Sequence, residues 1–290
     1  MQESPIRFSV SLHGRLVEFS RPAVMGIVNV TPDSFYRQSR TTDTDAVRRR
    51  VAEMIGQGVD IIDVGAYSSR PGADDVSPDD ELRRLETGLR AIRDVSSDIP
   101  VSVDTFRASV ARTAVSSLGA DIVNDISGGM LDDDMFATVA ELRCPYILMH
   151  MRGTPDTMQS LTDYPQGVTP GVIAELAARM SILDRLGVSD VVIDPGFGFA
   201  KTLKQNYELM HDLPEFAVFG RPLLAGISRK SMLTRLLGCS TDQALDATTA
   251  LNTIALQRGA DIIRVHDVAA ARAAVDVYCA VDNPDGIDIS

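Results

Sequence analysis

The chain of 290 residues is 44% hydrophobic and 23% charged, which is enough apolar material for one large core. Its net charge of −12 and pI of about 4.7 make nucleic acid and anionic membranes unfavourable partners, although a few cations gathered in a cleft can still attract a small anion. No apolar run approaches the roughly 18 residues of a membrane span, and the N-terminus lacks the pattern of a signal peptide. The three cysteines are isolated, so we expect a cytoplasmic protein with reduced thiols.

The first predicted element is a β-hairpin over about residues 6–20, because IRFSVSLHGRLVEFS alternates and carries His13-Gly14 at a turn position. Eight short apolar runs, typical of buried strands, follow it. They lie at 23–30, 58–63, 100–105, 119–124, 145–150, 187–194, 221–228 and 259–264. Four of these runs open on a glycine that follows an amphipathic stretch, as expected for a helix C′ position with positive φ. These glycines are Gly58, Gly119, Gly187 and Gly259.

Helical segments are predicted between the strands. One begins at Ser77-Pro78, an N-cap followed by proline and an acidic first turn. The others lie near 44–57, 106–118, 133–143, 170–186, 203–212, 230–238, 242–258 and 268–281. In the segment 44–57 we expect one buried face made of Val47, Val51, Met54 and Ile55.

Eight alternating strand and helix units predict an α/β protein, a (β/α)8 TIM barrel whose bottom is closed by the N-terminal hairpin. An open doubly wound sheet is less favoured, because the first unit lacks the GxGxxG motif. We expect a single domain over residues 1–290, with the barrel at about 23–281 and a mobile polar tail at 282–290. Asp60, Asp121, Asp190 and Asp261 begin strands at the opposite rim, where we expect them to cap loops.

Every predicted strand ends in a polar or charged residue, at the rim where this fold places its chemistry. One such residue alone is most often a helix cap or a turn residue, but eight strand ends of eight favour a binding site. The residues are Asn29, Asp63, Asp104, Asn124 with Asp125, His150, Asp194, Ser228 to Lys230, and Arg264 with His266.

These side chains divide into two groups by chemistry. Asp104, Asn124, Asp194 and Lys230 suit a flat nitrogen-rich heterocycle, on which the guanidinium of Arg264 can stack. The second group suits phosphate or pyrophosphate, and it consists of Asn29, Arg70 and His266. Within it, Asn29 is a neutral oxygen ligand available to Mg²⁺.

The loop DPGFGFAKTL, residues 194–203, resembles a phosphate-binding P-loop in its Lys-Thr pair. It fails the template, because Ala200 precedes Lys201 and Pro195 stands where the template requires glycine. We expect Asp194 to face the heterocycle and Thr202 to cap the next helix. If Ala200 adopts a positive φ, the strain costs about 1 kcal/mol.

The strand-end motifs, in order, resemble those of the dihydropteroate synthase family over about Met25 to Val268. They are MGIVNVTPDSF, DVGAYSSRPGA, SVDTFRASVA, VNDISGG, ILMHMRGTPDTMQ, DPGFGFAKT, GISRKS and IIRVHDV. The resemblance implies a (β/α)8 barrel that forms a homodimer. It implies the condensation of 6-hydroxymethyl-7,8-dihydropterin pyrophosphate with p-aminobenzoate, to give 7,8-dihydropteroate and pyrophosphate with Mg²⁺ as cofactor. It also implies a sulfonamide target.

The resemblance further implies roles for matching residues. The pterin is held by Asp104, Asn124, Met149, Asp194, Phe199, Lys230 and Arg264. The p-aminobenzoate site is bordered by Phe35, Ser69, Arg70, Ser228 and Lys230. The pyrophosphate lies against Asn29, Ser69, Arg70, Arg264 and His266, with Asn29 on the metal. Catalysis is expected to depend on Asp104, Asp194, Lys230, Arg264 and His266, and the loops 31–43 and 66–77 are candidate lids.

The sequence departs from the family pattern at Ser69, where threonine is usual, and in the loop after Thr31. Two alternatives are weighed against the synthase: a methyltetrahydrofolate–corrinoid methyltransferase and a non-catalytic pterin-binding paralogue. The methyltransferase has no need of the cations in GISRKS and IIRVHDV. The paralogue is disfavoured because Arg70, Asp104 and Lys230 are all present.

Overall fold

The computed structural model describes residues 6–30, 40–67 and 76–286, with the side chains of 40–43 and 286 left out. It begins with an antiparallel hairpin of β1 (Phe8–Leu12) and β2 (Arg15–Phe19), in which Val10 stands opposite Val17. Phe8, Val10 and Leu12 alternate on one buried face and pack against apolar side chains of the barrel strands. The predicted closure of the barrel bottom by a hairpin is confirmed.

Eight parallel strands form the barrel, because short β-branched runs buried on both faces are covered inside by each other and outside by helices. They are β3 (Ala23–Asn29), β4 (Ile61–Gly65), β5 (Val101–Asp104), β6 (Ile122–Asp125), β7 (Tyr146–Met149), β8 (Val191–Asp194), β9 (Leu224–Ala225) and β10 (Ile262–Val265). Neighbours in the chain are neighbours in the sheet, β10 pairs with β3, and a bridge from Ile193 to Leu223 joins β8 to the β9 segment. This closed order confirms the TIM barrel and excludes the doubly wound sheet.

The helices lie outside the strands. In the described residues they are α1 (Arg40–Gly56), α2 (Pro78–Val95), α3 (Ala108–Ser117), α4 (Met135–Leu142), α5 (Val168–Arg185), α6 (Leu203–His211), α7 (Ser231–Leu237), α8 (Leu245–Gln257) and α9 (Val268–Asp282). None of these helices is long and apolar enough to cross a membrane. Helix α2 has the expected Ser77 N-cap, and α6 has Thr202 in a full capping box.

The four glycines that precede strands all have positive φ, from 78° to 96°, as the helix-end pattern predicts. Ala200 also adopts a positive φ of 50°, so the strain anticipated at that position is present. The predicted inner face of α1 is wrong for Ile55, which is 36% exposed, whereas Val47, Val51 and Met54 are buried. At helical spacing Ile55 follows Met54 by 100°, which takes it past the edge of the apolar stripe.

Aspartates at the bottom rim tie neighbouring strands together. Each carboxylate accepts a hydrogen bond from a backbone N–H at or just before the start of the adjacent strand. The pairs are Asp60 with Val24 at 2.7 Å, Asp121 with Val101 at 2.7 Å, and Asp261 with Leu223 at 2.9 Å. His13 at the hairpin turn contacts Asp121 at 2.7 Å, which fastens the hairpin to this rim. These aspartates are structural, so the chemistry lies at the opposite end.

Candidate active site

Arg264 of β10 lies at the centre of the polar barrel mouth. Its Nε donates to Oδ2 of Asp63 on β4 at 2.6 Å, and its Nη2 donates to Oδ2 of Asp104 at the end of β5 at 2.6 Å. Asn124 of β6 donates through Nδ2 to the same Asp63 oxygen at 3.2 Å. Four strands therefore contribute to one hydrogen-bonded network, and the sequence places its members there because the strands all end at this rim.

In this network, burial and ion pairing shift the pKa values of the charged groups in opposite directions. Burial, with Asp63, Glu81 and Asp125 as neighbouring acids, raises the pKa of Asp104 to about 7 even though Arg264 acts to lower it. Burial acts to lower the pKa of Arg264, but Asp63 and Asp104 outweigh it and the pKa is raised. The guanidinium therefore stays charged, and Asp104 is the member of the network that titrates near neutral pH.

A second pair, Asp194 and Lys230, lies beside this network. Asp194 ends β8 and accepts the backbone N–H of Gly196 on Oδ1 at 2.8 Å, while burial raises its pKa. Nζ of Lys230 donates to the carbonyl of Phe197 at 2.5 Å and lies 4.7 Å from the ring centre of Phe199. Burial lowers the pKa of Lys230 to about 8, against the pull of Asp194. This part of the mouth offers one acceptor and one donor next to an aromatic wall.

Above the barrel, an apolar cluster forms one wall of the mouth. Met149, Ile126 and Met158 are buried in it, and Phe106 and Phe199 are partly buried against it. The predicted contributions of Met149 and Phe199 to the pocket wall fit this placement. An apolar wall beside charged groups excludes water and strengthens their interactions with a ligand.

Ser228 and His266 are joined on another side of the mouth, with Ser228 Oγ 3.0 Å from His266 Nδ1 and the His266 N–H donating to that oxygen at 3.2 Å. Arg229, between Ser228 and Lys230, turns away with φ 55° and forms two 2.8 Å hydrogen bonds with Asp267. Asn29 is exposed at the end of β3. In the GISRKS segment, Ser228 and Lys230 therefore face the mouth, whereas Arg229 faces away from it.

His150 and Lys201 lie behind the mouth. His150 is fully buried, its Nε2 lies 3.1 Å from Glu175 Oε2, and its Nδ1 lies 3.0 Å from Nζ of Lys201. Burial and the nearby Lys201 lower the pKa of His150 to about 3, so its imidazole is neutral. The sequence places His150 among the polar strand ends, and the structure shows its ring in internal hydrogen bonds with Glu175 and Lys201.

Comparison with known proteins decides the family. Residues 25–266 match the family described as pterin binding enzyme. The dihydropteroate synthase of Synechocystis is 43% identical over 254 residues, which are 86% of each chain. The structure of the Xanthomonas albilineans dihydropteroate synthase with 4-aminobenzoic acid aligns with a TM-score of 0.86 at 36% identity, covering 97% of this chain and 99% of that one. The Yersinia pestis dihydropteroate synthase in complex with a sulfonamide drug aligns with a TM-score of 0.87 at 34% identity, covering 95% and 100%.

The chain belongs to the dihydropteroate synthase family. Of the residues that the family resemblance assigned, the structure brings Asp104, Asn124, Asp194, Lys230 and Arg264 to one barrel mouth. Phe35, Ser69 and Arg70 lie outside the described residues, as do most of the two loops expected to act as lids. The roles assigned to those three side chains stay predictions.

Asp63 is the member of this dihydropteroate synthase site that sequence reasoning missed. It was recognised as polar at a strand end, but it was given no role, because the predicted strand stopped at residue 63. In the structure β4 continues to Gly65, so Asp63 points into the barrel and is fully buried under Arg264. The available signal was the run IIDVG, in which a carboxylate stands inside a continuous β-branched strand.

Asp125 was predicted to lie with Asn124 among the rim residues of the site, but its side chain has a different role in the structure. Its carboxylate accepts hydrogen bonds from Ser127 and Gly129 and from the hydroxyl of Tyr146, at 2.7–2.8 Å. Ser127 and Gly129 belong to the loop after β6, and Tyr146 begins the neighbouring strand β7. Asp125 therefore organises that loop, while Asn124 just before it faces the mouth.

A tightly bound metal is not supported by the donor set. In residues 6–30, 40–67 and 76–286, no three His, Cys, Asp or Glu side chains are grouped for a metal. Asn29 offers a single neutral oxygen. This set fits Mg²⁺ only in the manner in which that ion accompanies a substrate phosphate, with one or two protein ligands and the remainder from phosphate and water.

Proposed function

We propose that the barrel mouth binds 6-hydroxymethyl-7,8-dihydropterin pyrophosphate and joins it to p-aminobenzoate, releasing pyrophosphate and 7,8-dihydropteroate. Family membership makes the chain a transferase with dihydropteroate synthase function in folate biosynthesis. The observation that carries the site assignment is the network of Arg264 with two aspartates, placed next to the Asp194 and Lys230 pair.

The pterin ring is recognised by carboxylates that each keep one oxygen available for a hydrogen bond to the ligand. Arg264 donates a hydrogen bond to Oδ2 of Asp104, and the N–H of Gly196 donates one to Oδ1 of Asp194. Within the described chain, no side chain or N–H donates to Oδ1 of Asp104 or to Oδ2 of Asp194. Those two oxygens suit the ring N–H and amino groups of a pterin, and Asn124 completes the donor and acceptor set. Lys230 donates to a ring acceptor, and Arg264 stacks on the ring face.

Bond breaking at the pterin methylene is assisted by charge. As the C–O bond to pyrophosphate lengthens, positive charge develops on the pterin, and the buried carboxylates of Asp104 and Asp194 stabilise it. The arylamine of p-aminobenzoate then attacks the methylene carbon and loses a proton. No covalent enzyme intermediate is required. Ser228 and Lys230, with Phe35, Ser69 and Arg70, border the p-aminobenzoate.

The departing pyrophosphate is held by Asn29, Arg264 and His266, together with Ser69 and Arg70. Arg70 provides the bidentate geometry that suits phosphate oxygens, and Arg264 contributes positive charge and its Nη1, because its Nε and Nη2 bind Asp63 and Asp104. When bound, Mg²⁺ supplies charge neutralisation to the pyrophosphate, and Asn29 is its ligand from the protein. Ser228 Oγ lies 3.0 Å from Nδ1 of His266 and so fixes the orientation of the His266 ring at this side of the mouth.

The assembly and setting of the protein are further parts of the proposal. We expect one pterin-binding domain and a homodimer, and the exposed apolar side chains on α7 to α9 support a covered face. These are Leu236, Leu237, Ile254, Val277 and Val281. The free cysteines support a cytoplasmic location. The sulfonamide complex of the Yersinia pestis relative supports sulfonamide binding at the p-aminobenzoate site.

The test is release of pyrophosphate that requires p-aminobenzoate, measured with the purified chain, the pterin pyrophosphate and Mg²⁺. Asp104→Asn and Arg264→Ala should each lower kcat/KM by about 100-fold or more, as expected for groups that act on transition-state charge. Matched controls are Asp98→Asn and Arg90→Ala, which remove exposed charges; Asp98 lies before β5 at the bottom rim, and Arg90 lies on the outer helix α2. Near-normal kcat/KM in both site variants would overturn the assignment, and pyrophosphate release that ignores p-aminobenzoate would overturn the reaction.

A further inference from the structure

Lys201 uses all of its hydrogen-bonding capacity inside the protein. It is 3% exposed, and its Nζ lies 2.9 Å from the carbonyl oxygen of Gly196, 2.9 Å from that of Phe199 and 3.0 Å from Nδ1 of His150. Burial lowers the pKa of Lys201 well below its usual value, although Asp194 and Glu175 act to raise it. Three acceptors at hydrogen-bond distance require three donors, so the geometry favours the ammonium form, which has three donors and no acceptor. Lys201 therefore has no donor left for a substrate.

The histidine partner fixes the direction of these hydrogen bonds. Nε2 of His150 faces the carboxylate of Glu175 at 3.1 Å, so Nε2 carries the hydrogen and Nδ1 accepts from Lys201. Burial acts to raise the pKa of Glu175, but its hydrogen bonds to His150 and Arg152 outweigh this and lower it to about 2, so it stays ionised. A neutral His150 therefore lies between the carboxylate of Glu175 and the ammonium group of Lys201.

The two carbonyls that Lys201 binds belong to the loop that forms the pterin side of the mouth. This loop, residues 194–201, begins with Asp194, whose carboxylate is fixed by the N–H of Gly196. It includes the carbonyl of Phe197, which accepts from Lys230, and the ring of Phe199, which lies 4.7 Å from Lys230 Nζ. The shape of the loop therefore sets the positions of three groups assigned to the pterin.

The loop also packs tightly on the residue that anchors Lys201. A side chain added at Gly196 would place its Cβ 2.0 Å from the carbonyl oxygen of His150. The backbone N–H of His150 donates to the carbonyl of Asp194 at 3.0 Å. His150 is therefore bound to the loop through its backbone on one side and through Lys201 on the other.

We propose that Lys201 is a positioning residue for the pterin: by binding the carbonyls of Gly196 and Phe199, and anchored by His150 and Glu175, it holds loop 194–201 in the shape that aims Asp194 at the ring. Lys201 acts through Asp194 and does not touch the substrate. The inference rests on the proposed pterin role of Asp194. It predicts that loss of Lys201 weakens pterin binding more when Asp194 is present than when Asp194 is replaced.

The experiment is a double-mutant cycle on the affinity for the pterin pyrophosphate, measured by isothermal titration calorimetry without p-aminobenzoate. Lys201→Met should weaken binding by about tenfold or more in the wild-type background and by less than threefold in the Asp194→Asn background. Lys204→Met is the matched control, because Lys204 is 85% exposed and pairs with Glu208 on the same helix. An equal loss in both backgrounds, or no loss in the wild type, would overturn the proposal.

A second pair of variants covers the case in which Lys201→Met does not fold. His150→Gln keeps an acceptor for Lys201 and a donor for Glu175, whereas His150→Leu keeps neither. We expect His150→Leu to lose pterin affinity about tenfold and His150→Gln to remain within threefold of the wild type. Equal affinities in the two variants would contradict the proposal. Failure of the wild type and Lys204→Met to bind the pterin would instead refute the proposed function of the mouth.

Discussion

Asp104→Asn should change stability in a way that depends on pH. In the folded chain, burial and the neighbouring acids raise the pKa of Asp104 to about 7, from its ordinary value of 3.8. Between these values the folded state binds more protons than the unfolded state, so the stability of the wild type falls as pH rises through this window. Asparagine does not ionise, so the variant lacks this contribution.

The size of the effect depends on how much of the range between the two pKa values an experiment can cover. The range from pH 5 to the folded pKa is about two pH units, and the free energy of unfolding changes by about 1.36 kcal/mol per unit, or about 2.7 kcal/mol in all. The Asp104 side chain is 22% exposed, so solvent screens part of this. We expect the wild type to lose about 2 kcal/mol relative to Asp104→Asn between pH 5 and pH 8.

Urea unfolding of both proteins at pH 5, 6, 7 and 8 measures this difference, and Asp133→Asn controls for the loss of one carboxylate. Any pH-independent consequence of the substitution cancels in the comparison across pH. A difference that stays constant with pH would refute the argument. A wild type that gains stability relative to the variant as pH rises would show that the ion pair with Arg264 outweighs burial.

Three further changes test the parts of the site separately. Gly196→Ala should lower the free energy of unfolding by about 3 kcal/mol or more, because φ is 70° and the added Cβ would lie 2.0 Å from the His150 carbonyl oxygen. Gly220→Ala is the control: φ there is 58°, the added Cβ meets no atom within 4 Å, and the loss measured by denaturant unfolding should be only about 1 kcal/mol. Thr202→Ala removes the N-cap of α6 and should lower stability by about 1 kcal/mol with kcat within twofold of the wild type; a large loss of kcat would contradict a purely local role. Because burial lowers the pKa of Lys230 to about 8, affinity for the pterin pyrophosphate should fall as pH rises through 8, and Lys230→Arg should flatten that profile; a wild-type affinity that does not change from pH 7 to 9 would refute a charged role for Lys230.

Most of the barrel could be predicted because its signals are local. A glycine after an amphipathic stretch marks the end of a helix through its positive φ, and a short β-branched run marks the buried strand that follows. The four glycines beginning with Gly58 therefore predict four strand positions within four residues of the observed ones. Strand boundaries were less accurate than strand existence, because pairing with a neighbouring strand decides where a strand starts and stops, and no single residue encodes that pairing.

Side-chain direction was the part of the site that the sequence could not supply. Asp63 and Asp125 both stand near strand ends, yet one holds Arg264 in the mouth and the other binds the loop beneath it. Consecutive strand residues alternate between the barrel interior and the helices. A shift of one residue in the predicted register therefore exchanges a site residue for a structural one, and only the paired sheet fixes that register.

The loop DPGFGFAKTL shows why glycine and lysine spacing alone does not identify a phosphate site. In a P-loop, backbone N–H groups converge on the phosphates and the lysine reaches them. Here Gly196 N–H binds Asp194, Gly198 N–H binds Asn206, and the three donors of Lys201 bind two carbonyls and His150. In this loop, glycine and lysine therefore make hydrogen bonds that hold the Asp194 carboxylate in place. A loop built in this way is suited to a heterocycle that donates hydrogen bonds, and it leaves the phosphate to cations on neighbouring strands.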